Sequence, residues 1–175
     1  MSAQIAQGAL VCEDRVELVG DVTIGTRTLI HPSVKIIAEA GPVIIGENNL
    51  IEEQTVIVNK FKEGDDRNNI KVMIIGDNNV FEVGTYSEAL KIGDNNIFEC
   101  KSKVGREVTV SNGCIIGAMC ELNTNEILQD NTIITVKQRR IANEKPQSQL
   151  SQLDFLSKLL TNFQKFKKPN TTVRT

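Results

Sequence analysis

Aliphatic side chains return at every sixth position through most of this chain, and that period decides what it can fold into. The first register is Leu18, Ile24, Ile30 and Ile36. A nine-residue step leads to Ile45, Ile51 and Ile57, and a longer break leads to Ile75 and Phe81. The longest unbroken run is Ile92, Phe98, Val104, Val110, Ile116, Leu122, Leu128 and Ile134, with a weaker start at Ile5 and Val11. The residue after the anchor is often Gly (Gly25, Gly46, Gly76, Gly93, Gly105, Gly117). Four after the anchor comes a small or branched residue, such as Val22, Thr28, Val34, Thr55, Thr85, Ser102, Val108, Cys114, Cys120 or Thr132. Two inward side chains in six residues do not fit a helix of period 3.6, but they fit a short strand followed by a sharp turn.

Three hexads close a coil of 18 residues. Stacked coils then place i above i+18: Ile92, Val110 and Leu128 form one column, Phe98, Ile116 and Ile134 a second, Val104 and Leu122 a third. No single coil can bury its own apolar face, but a stack can. The repeat therefore predicts an all-β solenoid over residues 1–136, a triangular parallel β-helix of about seven coils. At about 4.8 Å per layer its length is on the order of 35 Å. The runs GENN (46–49), GDNN (76–79) and GDNN (93–96) read as corners, where Gly and Asn tolerate the required backbone. They lack the later bidentate Glu of a calcium loop.

Two stretches break the repeat. Residues 60–71, KFKEGDDRNNIK, are polar and carry no anchor; they read as a loop extruded from one corner. Residues 84–91 fall out of register and hold the only Tyr, Tyr86. Both are candidates for partner contact, through Phe61, Asp65, Asp66, Arg67 and Tyr86. After residue 136 the period changes. A connector, 137–147, leads to Leu150, Leu153, Leu156, Leu160, Phe163 and Phe166 at three- and four-residue steps, with Phe155 and Leu159 widening the stripe. This predicts an amphipathic helix over about 148–167, between Pro146 and Pro169, and a flexible tail over 168–175. So apolar a face must pack on the side of its own solenoid, on an open coil end, or on a partner, for which Phe155 and Phe163 are the candidate contacts.

Charge is distributed unevenly. Residues 137–175 hold nine basic and two acidic residues, net +7, while the preceding 136 hold eleven and twenty, net −9. The simple expectation is a basic tail lying against its own acidic body; the alternative is an acidic partner surface. An acidic solenoid with 4% aromatics is a poor nucleic-acid binder. No apolar run is long enough to span a membrane, and the first residues do not form a secretory signal, so a cytoplasmic location is expected. The four cysteines (Cys12, Cys100, Cys114, Cys120) have no zinc-type spacing and read as reduced thiols. Neither a metal site nor a cofactor site is expected. One histidine, His31, excludes any site within the chain that needs two imidazoles. Its place after the Ile30 anchor marks it as a corner residue. No phosphate loop, nucleophile elbow or spaced carboxylate pair accompanies it.

Hexad solenoids of this kind resemble the left-handed parallel β-helices, and the resemblance implies the hand. That superfamily includes acyltransferases with a histidine base between subunits of a trimer. It also includes γ-class carbonic anhydrases with three histidines on zinc. A homotrimeric enzyme of either type is the alternative reading; it would have to rest on His31 alone. A narrower resemblance is carried by GDVTIG (20–25), IHP (30–32), IIAEAGPVIIGE (36–47), NLIEEQ (49–54), MIIGDNNVFEVG (73–84), SNGCIIGA (111–118) and QLDFL (152–156). These stretches look like the dynactin subunit 6 family. The resemblance implies a non-catalytic scaffold or adaptor subunit of the pointed-end complex of dynactin, cytoplasmic and cytoskeleton-associated, supporting dynein-driven transport and cargo attachment. It implies pairing with dynactin subunit 5 in a heterodimer, and through it contact with subunit 4 and the pointed-end actin-related protein, rather than a homotrimer. Vertebrate members carry a Thr-Pro phosphorylation site in the tail; no Ser-Pro or Thr-Pro occurs here.

Overall fold

The computed structural model describes residues 3–170. Short strands follow one another at the spacing of the hexads: β1 (Gln4–Ile5), β2 (Leu10–Val11), β3 (Glu17–Ile24), β4 (Leu29–Ile30), β5 (Lys35–Ile45), β6 (Leu50–Ile51) and β7 (Val56–Asn59). Beyond the 60–71 loop come β8 (Met73–Ile75), β9 (Val80–Phe81), β10 (Tyr86–Ser87), β11 (Lys91–Ile92), β12 (Ile97–Phe98), β13 (Lys103–Val104) and β14 (Val108–Val110). β15 (Ile115–Ile116) closes the coil before the last, which holds β16 (Glu121–Leu122), β17 (Glu126–Ile127) and β18 (Thr132–Ile134). A return strand β19 (Arg139–Ile141) and one helix, α1 (Leu150–Thr161), complete the chain.

The strands stack in parallel into three faces of a prism of about seven coils, the left-handed β-helix class that the repeat and its resemblance imply. The first face runs β3–β5–β7–β10–β13–β16 and the second β1–β3–β5–β8–β11–β14–β17. The long β3 and β5 turn the corner between them. The third face runs β2–β4–β6–β9–β12–β15–β18 and ends on antiparallel β19. Phe98 pairs with Ile116, Ile116 with Ile134, and Val104 with Leu122, the i+18 columns expected. Every anchor from Ile24 to Ile116 is at most 1% exposed. The loop insertion stretches the step to 30 residues, so that Ile57 sits on Ser87. Ser87 and Ala89 are fully buried and take the anchor's place in the out-of-register segment. Large Phe81 and Phe98, stacked with ring centroids 4.5 Å apart, occupy the interior beside them, so small residues and aromatics share the available volume.

Most corners, though not those after Leu18, Ile36, Val104 and Leu122, follow a second rule that the hexad pattern alone does not reveal. The residue three after the anchor takes a positive φ: Arg27, Ser33, Asn48, Gln54, Asn78, Gly84, Asn95, Lys101, Gly113, Met119 and Asn131. The acid–Asn–Asn runs meet that rule and add two ladders. Inside, Asn49, Asn79 and Asn96 are fully buried; each donates from Nδ2 to a carbonyl of the next coil (Gly76, Gly93, Ser111). Their Oδ1 atoms accept the backbone N–H of Asn79, Asn96 and Cys114. Outside, the carboxylates of Asp77, Asp94 and Asp130 accept the N–H of Glu47, Asp77 and Asn112. Oxygens that suggest a cation loop in sequence are spent on backbone donors. The close approach also explains the glycines: a Cβ on Gly76 would lie 2.1 Å from Asp94 Oδ1 and 2.8 Å from the Gly93 carbonyl.

The helix lies on its own solenoid. Leu153, buried, packs with Leu29, Leu50 and Val80 of the third face, and Leu156, Leu160 and Phe166 extend the contact to Leu10 and Ile97. Burial of Leu153 alone stabilises the docking by about 2 kcal/mol. The helix is shorter than the periodicity predicts, Leu150–Thr161 against 148–167. Gln149 is not helical and supplies no side-chain cap, so the first turn starts late. At the other end residues 165–170 leave the helix to pair with the first coil: Glu13 N–H donates to the Lys165 carbonyl, Lys167 N–H to Val11 and Asn170 N–H to Ile5. An open strand edge offers these backbone groups partners that outcompete another helical turn. Asn170, expected within a flexible tail, is thus engaged. Asn170 Oδ1 accepts the Ile5 N–H and its Nδ2 donates to Ala3. The rest of that tail, 171–175, lies outside the described residues. The connector 137–147 is not wholly irregular either, because it contains β19.

Candidate partner interface

The 60–71 loop leaves the first face at Asn59 and is stapled at its base. Buried Asn59 donates from Nδ2 to the carbonyls of Gly41 and Lys71, and Lys71 N–H donates to Ala40. Two tight turns then fold the loop on itself. Asp65 accepts the Lys62 N–H, Gly64 supplies a φ of +86°, and Asp66 accepts the Asn68 N–H. Loop side chains hold it down on the later coils of the same face. Lys60 Nζ reaches Glu88 at 2.8 Å and the Tyr86 hydroxyl at 3.1 Å. Lys62 pairs with Glu107 at 3.2 Å, and Asp65 with Arg106 at 2.6 Å. Arg67 lies over the Phe61 ring, 5.5 Å from its centroid.

The loop and the out-of-register segment therefore form one surface. A cleft of about 470 Å³ opens there, lined by Lys62, Tyr86, Glu88, Lys103, Arg106, Glu107, Glu121 and Asn123. Its ionisable groups are shifted by one another. Bonds to Glu88 and Tyr86 raise Lys60 above the usual lysine range. The Lys62 backbone N–H, with Arg106, lowers Asp65. Burial pushes Glu88 up, but the bonds from Lys60 and Tyr86 and the charges of both lysines overcome it, so its carboxyl lies low. Tyr86 is raised, first by burial and then by its bond to Glu88. The site is thus a platform of mixed charge, where mutual bonding favours the charged forms of Lys60, Asp65 and Glu88.

Of the residues singled out in the sequence, Tyr86 lines this cleft and Asp65 pairs with Arg106 in its wall, Asp66 caps a turn within the loop, and Phe61 and Arg67 line a separate hollow with Ala38, Pro42 and Ile70. Phe155 and Phe163 line neither. They stand 63% and 75% exposed on the outer side of α1 and the turn after it, with Leu159 40% exposed between them. The apolar face is therefore two stripes, one seated on the solenoid and one facing out. Arg106 was not legible as part of the site. It is a charged residue with 4% side-chain exposure inside the most regular run of hexads, and only the acids of the loop hint that such a partner is needed.

His31 is 5% exposed and its Nδ1 lies 2.8 Å from Glu53 Oε1 in the corner beside β4. Nearby Cys12 is pushed up to about 11, mainly by burial. Among the described residues no three metal-ligating side chains converge, and no helix is long and apolar enough to cross a membrane. The tail lies on the body mainly through apolar and backbone contacts, with Arg27 of the body pairing Asp154 of the helix at 2.6 Å. Arg139 with Glu126, at 2.6 Å, is the one tail-base to body-acid pair among the described residues.

This architecture defines a class, the hexapeptide-repeat β-solenoids. A hexapeptide transferase family protein from Anaplasma phagocytophilum superposes with a TM-score of 0.66 at 17% identity, covering 91% of this chain and 87% of its own. A putative acetyltransferase from Bacillus cereus gives 0.62 at 15%, covering 91% and 88%. At these identities the likeness is one of fold. No family model matches the chain. Sequence kinship is much closer elsewhere. Dynactin subunit 6 of Xenopus tropicalis is 52% identical over 99% of this chain and 89% of its own length. That of Danio rerio is 52% identical over 95% and 88%, and that of Nematostella vectensis 49% over 94% and 92%. The chain belongs to the dynactin subunit 6 family.

Proposed function

We propose that this chain is a non-catalytic scaffold subunit of dynactin, cytoplasmic and cytoskeleton-associated. It works within the pointed-end subcomplex to support dynein-driven transport and cargo or adaptor attachment. Kinship to dynactin subunit 6 proteins along nearly the whole chain carries this reading. Its partner is dynactin subunit 5, and through it subunit 4 and the pointed-end actin-related protein. The mechanism is rigid shape: a laddered solenoid holds the 60–71 platform at a fixed place, and fixed charges there select the partner. The enzymatic alternative draws on the fold of the transferases alone. A general base must reach its substrate, whereas His31 is buried and bonded to Glu53.

Affinity capture of the tagged chain from cytosol tests the reading. Recovery of the other dynactin subunits in one large assembly is expected. A lone homotrimer would sink it. Replacing residues 60–71 with a short Gly/Ser linker tests the platform. The solenoid should still fold while partner recovery falls, and unchanged recovery would remove the loop from the interface.

A further inference from the structure

The two ends of the solenoid are finished differently. At the first coil, residues 165–170 pair with the strand edge, so the chain itself shows that an extended segment adds to an open coil. At the last coil β19 covers the third face alone. Among the described residues, β16 and β17 each end their stack with no strand beyond them. On β17 the N–H groups of Glu126 and Leu128 point back to Glu107 and Thr109. Backbone groups of successive strand residues point to opposite edges, so the amide and carbonyl of Ile127 face off the end of the prism. Beside them a groove of about 480 Å³ runs between β17 and β19, lined by Ile127, Leu128, Gln129, Thr132, Arg139, Arg140 and Ile141. Ile127 is 74% and Ile141 57% exposed. An apolar strip beside free backbone groups is what strand addition uses.

Charge identifies the occupant. The groove lining carries two arginines and no acid, on a body of net −9. Glu126 neutralises Arg139, but Arg140 makes no ion pair among the described residues. We propose that the C-terminal end of the solenoid docks an acidic, extended segment of a partner protein, which adds a strand alongside β17 with Arg140 reading its carboxylates. The proposal does not depend on the 60–71 platform, which lies on another face. A second copy of this chain is a poor occupant, because its first coil is already covered and its own groove carries the same two arginines.

The probe is a fluorescein-labelled ten-residue peptide of alternating Val and Glu, titrated into the full chain by anisotropy and followed by amide exchange. Binding with slowed exchange at Ile127 is expected. Arg140→Glu should weaken it about tenfold or more, some 1.4 kcal/mol. Ile127→Lys should also weaken it, and Lys158→Glu on the helix should not. The same peptide with prolines at alternate positions, or with Lys in place of Glu, should not bind. No binding at millimolar peptide, equal binding of the basic peptide, or no protection at Ile127 would overturn the proposal. So would sedimentation showing self-association that Ile127→Lys abolishes, which would give the groove to a second copy.

Discussion

Two faces of the same prism are covered in opposite ways. On the third face a helix seats Leu153, Leu156 and Leu160 on a column of Leu29, Leu50 and Val80, and the contact is apolar. On the first face the 60–71 loop is held by Lys60–Glu88, Lys62–Glu107 and Asp65–Arg106, and the contact is ionic. Apolar burial is insensitive to salt and to neutral pH, whereas the partly exposed Lys60–Glu88 and Lys62–Glu107 pairs are weak and screened, and only Asp65–Arg106, with Arg106 buried, resists. The helix is therefore a permanent part of the solenoid. The loop, held mainly by charge, should be the cover that salt or a change of pH loosens first.

The largest effect comes from breaking what both covers stand on. Gly76→Ala forces a Cβ into Asp94 and the Gly93 carbonyl, and should cost about 3 kcal/mol. Chemical denaturation should show the whole chain, helix and loop together, shifted. Next is Leu153→Ala, expected to cost about 2–3 kcal/mol. Amide exchange should quicken in α1 and residues 165–170 while the loop keeps its protection; equal loosening of the loop would mean the covers are coupled.

Smaller still is release of the loop. Asp65 and Glu88 have lowered values in the fold, so their contribution is complete above about pH 4. It is lost as pH falls through the folded values. Lys60 is raised, so its contribution holds below about pH 10.4 and is lost as pH rises beyond. Protection of loop amides, corrected for the intrinsic exchange rate at each pH, should fall at either extreme and in about 1 M salt at pH 7. The helix should respond to neither change. Asp65→Asn should mimic the acid limb at neutral pH. The smallest effect is a gain: Met119→Gly relieves a positive φ of 58° at a 70% exposed corner. It should add about 0.5–1 kcal/mol in a thermal melt and leave both covers as they were.

These differences also separate what could be read in advance from what could not. The anchors were legible because burial in a solenoid is strictly periodic. The Asn runs were legible as corners because Asn tolerates positive φ. The same corner rule falls on Arg27, Gln54, Lys101 and Met119, where side-chain type gives no sign of it and stacking on the neighbouring coils imposes it. The loop's existence was visible as a missing period, and its direction was not. Arg106, Glu107 and Glu88 hold it at sequence separations of 28 to 45 residues. The basic excess of the tail was visible too, yet only the fold shows that it pairs so little with the acidic body.

The sequence by itself determined the coil. A six-residue period of aliphatic anchors has one compact solution, because each coil must bury its face on the next. It also determined that a helix follows, because the period changes to three and four. Tertiary structure decided where that helix ends, since a free strand edge at the first coil captures residues 165–170. It decided which of the two apolar stripes of the helix faces inward. It decided as well that one end of the prism is closed and the other left open. Each of these rests on contacts between segments far apart in the chain: the helix stripe on apolar side chains of the third face, the two ends on backbone groups that every residue carries alike and that leave no mark in the order of side chains.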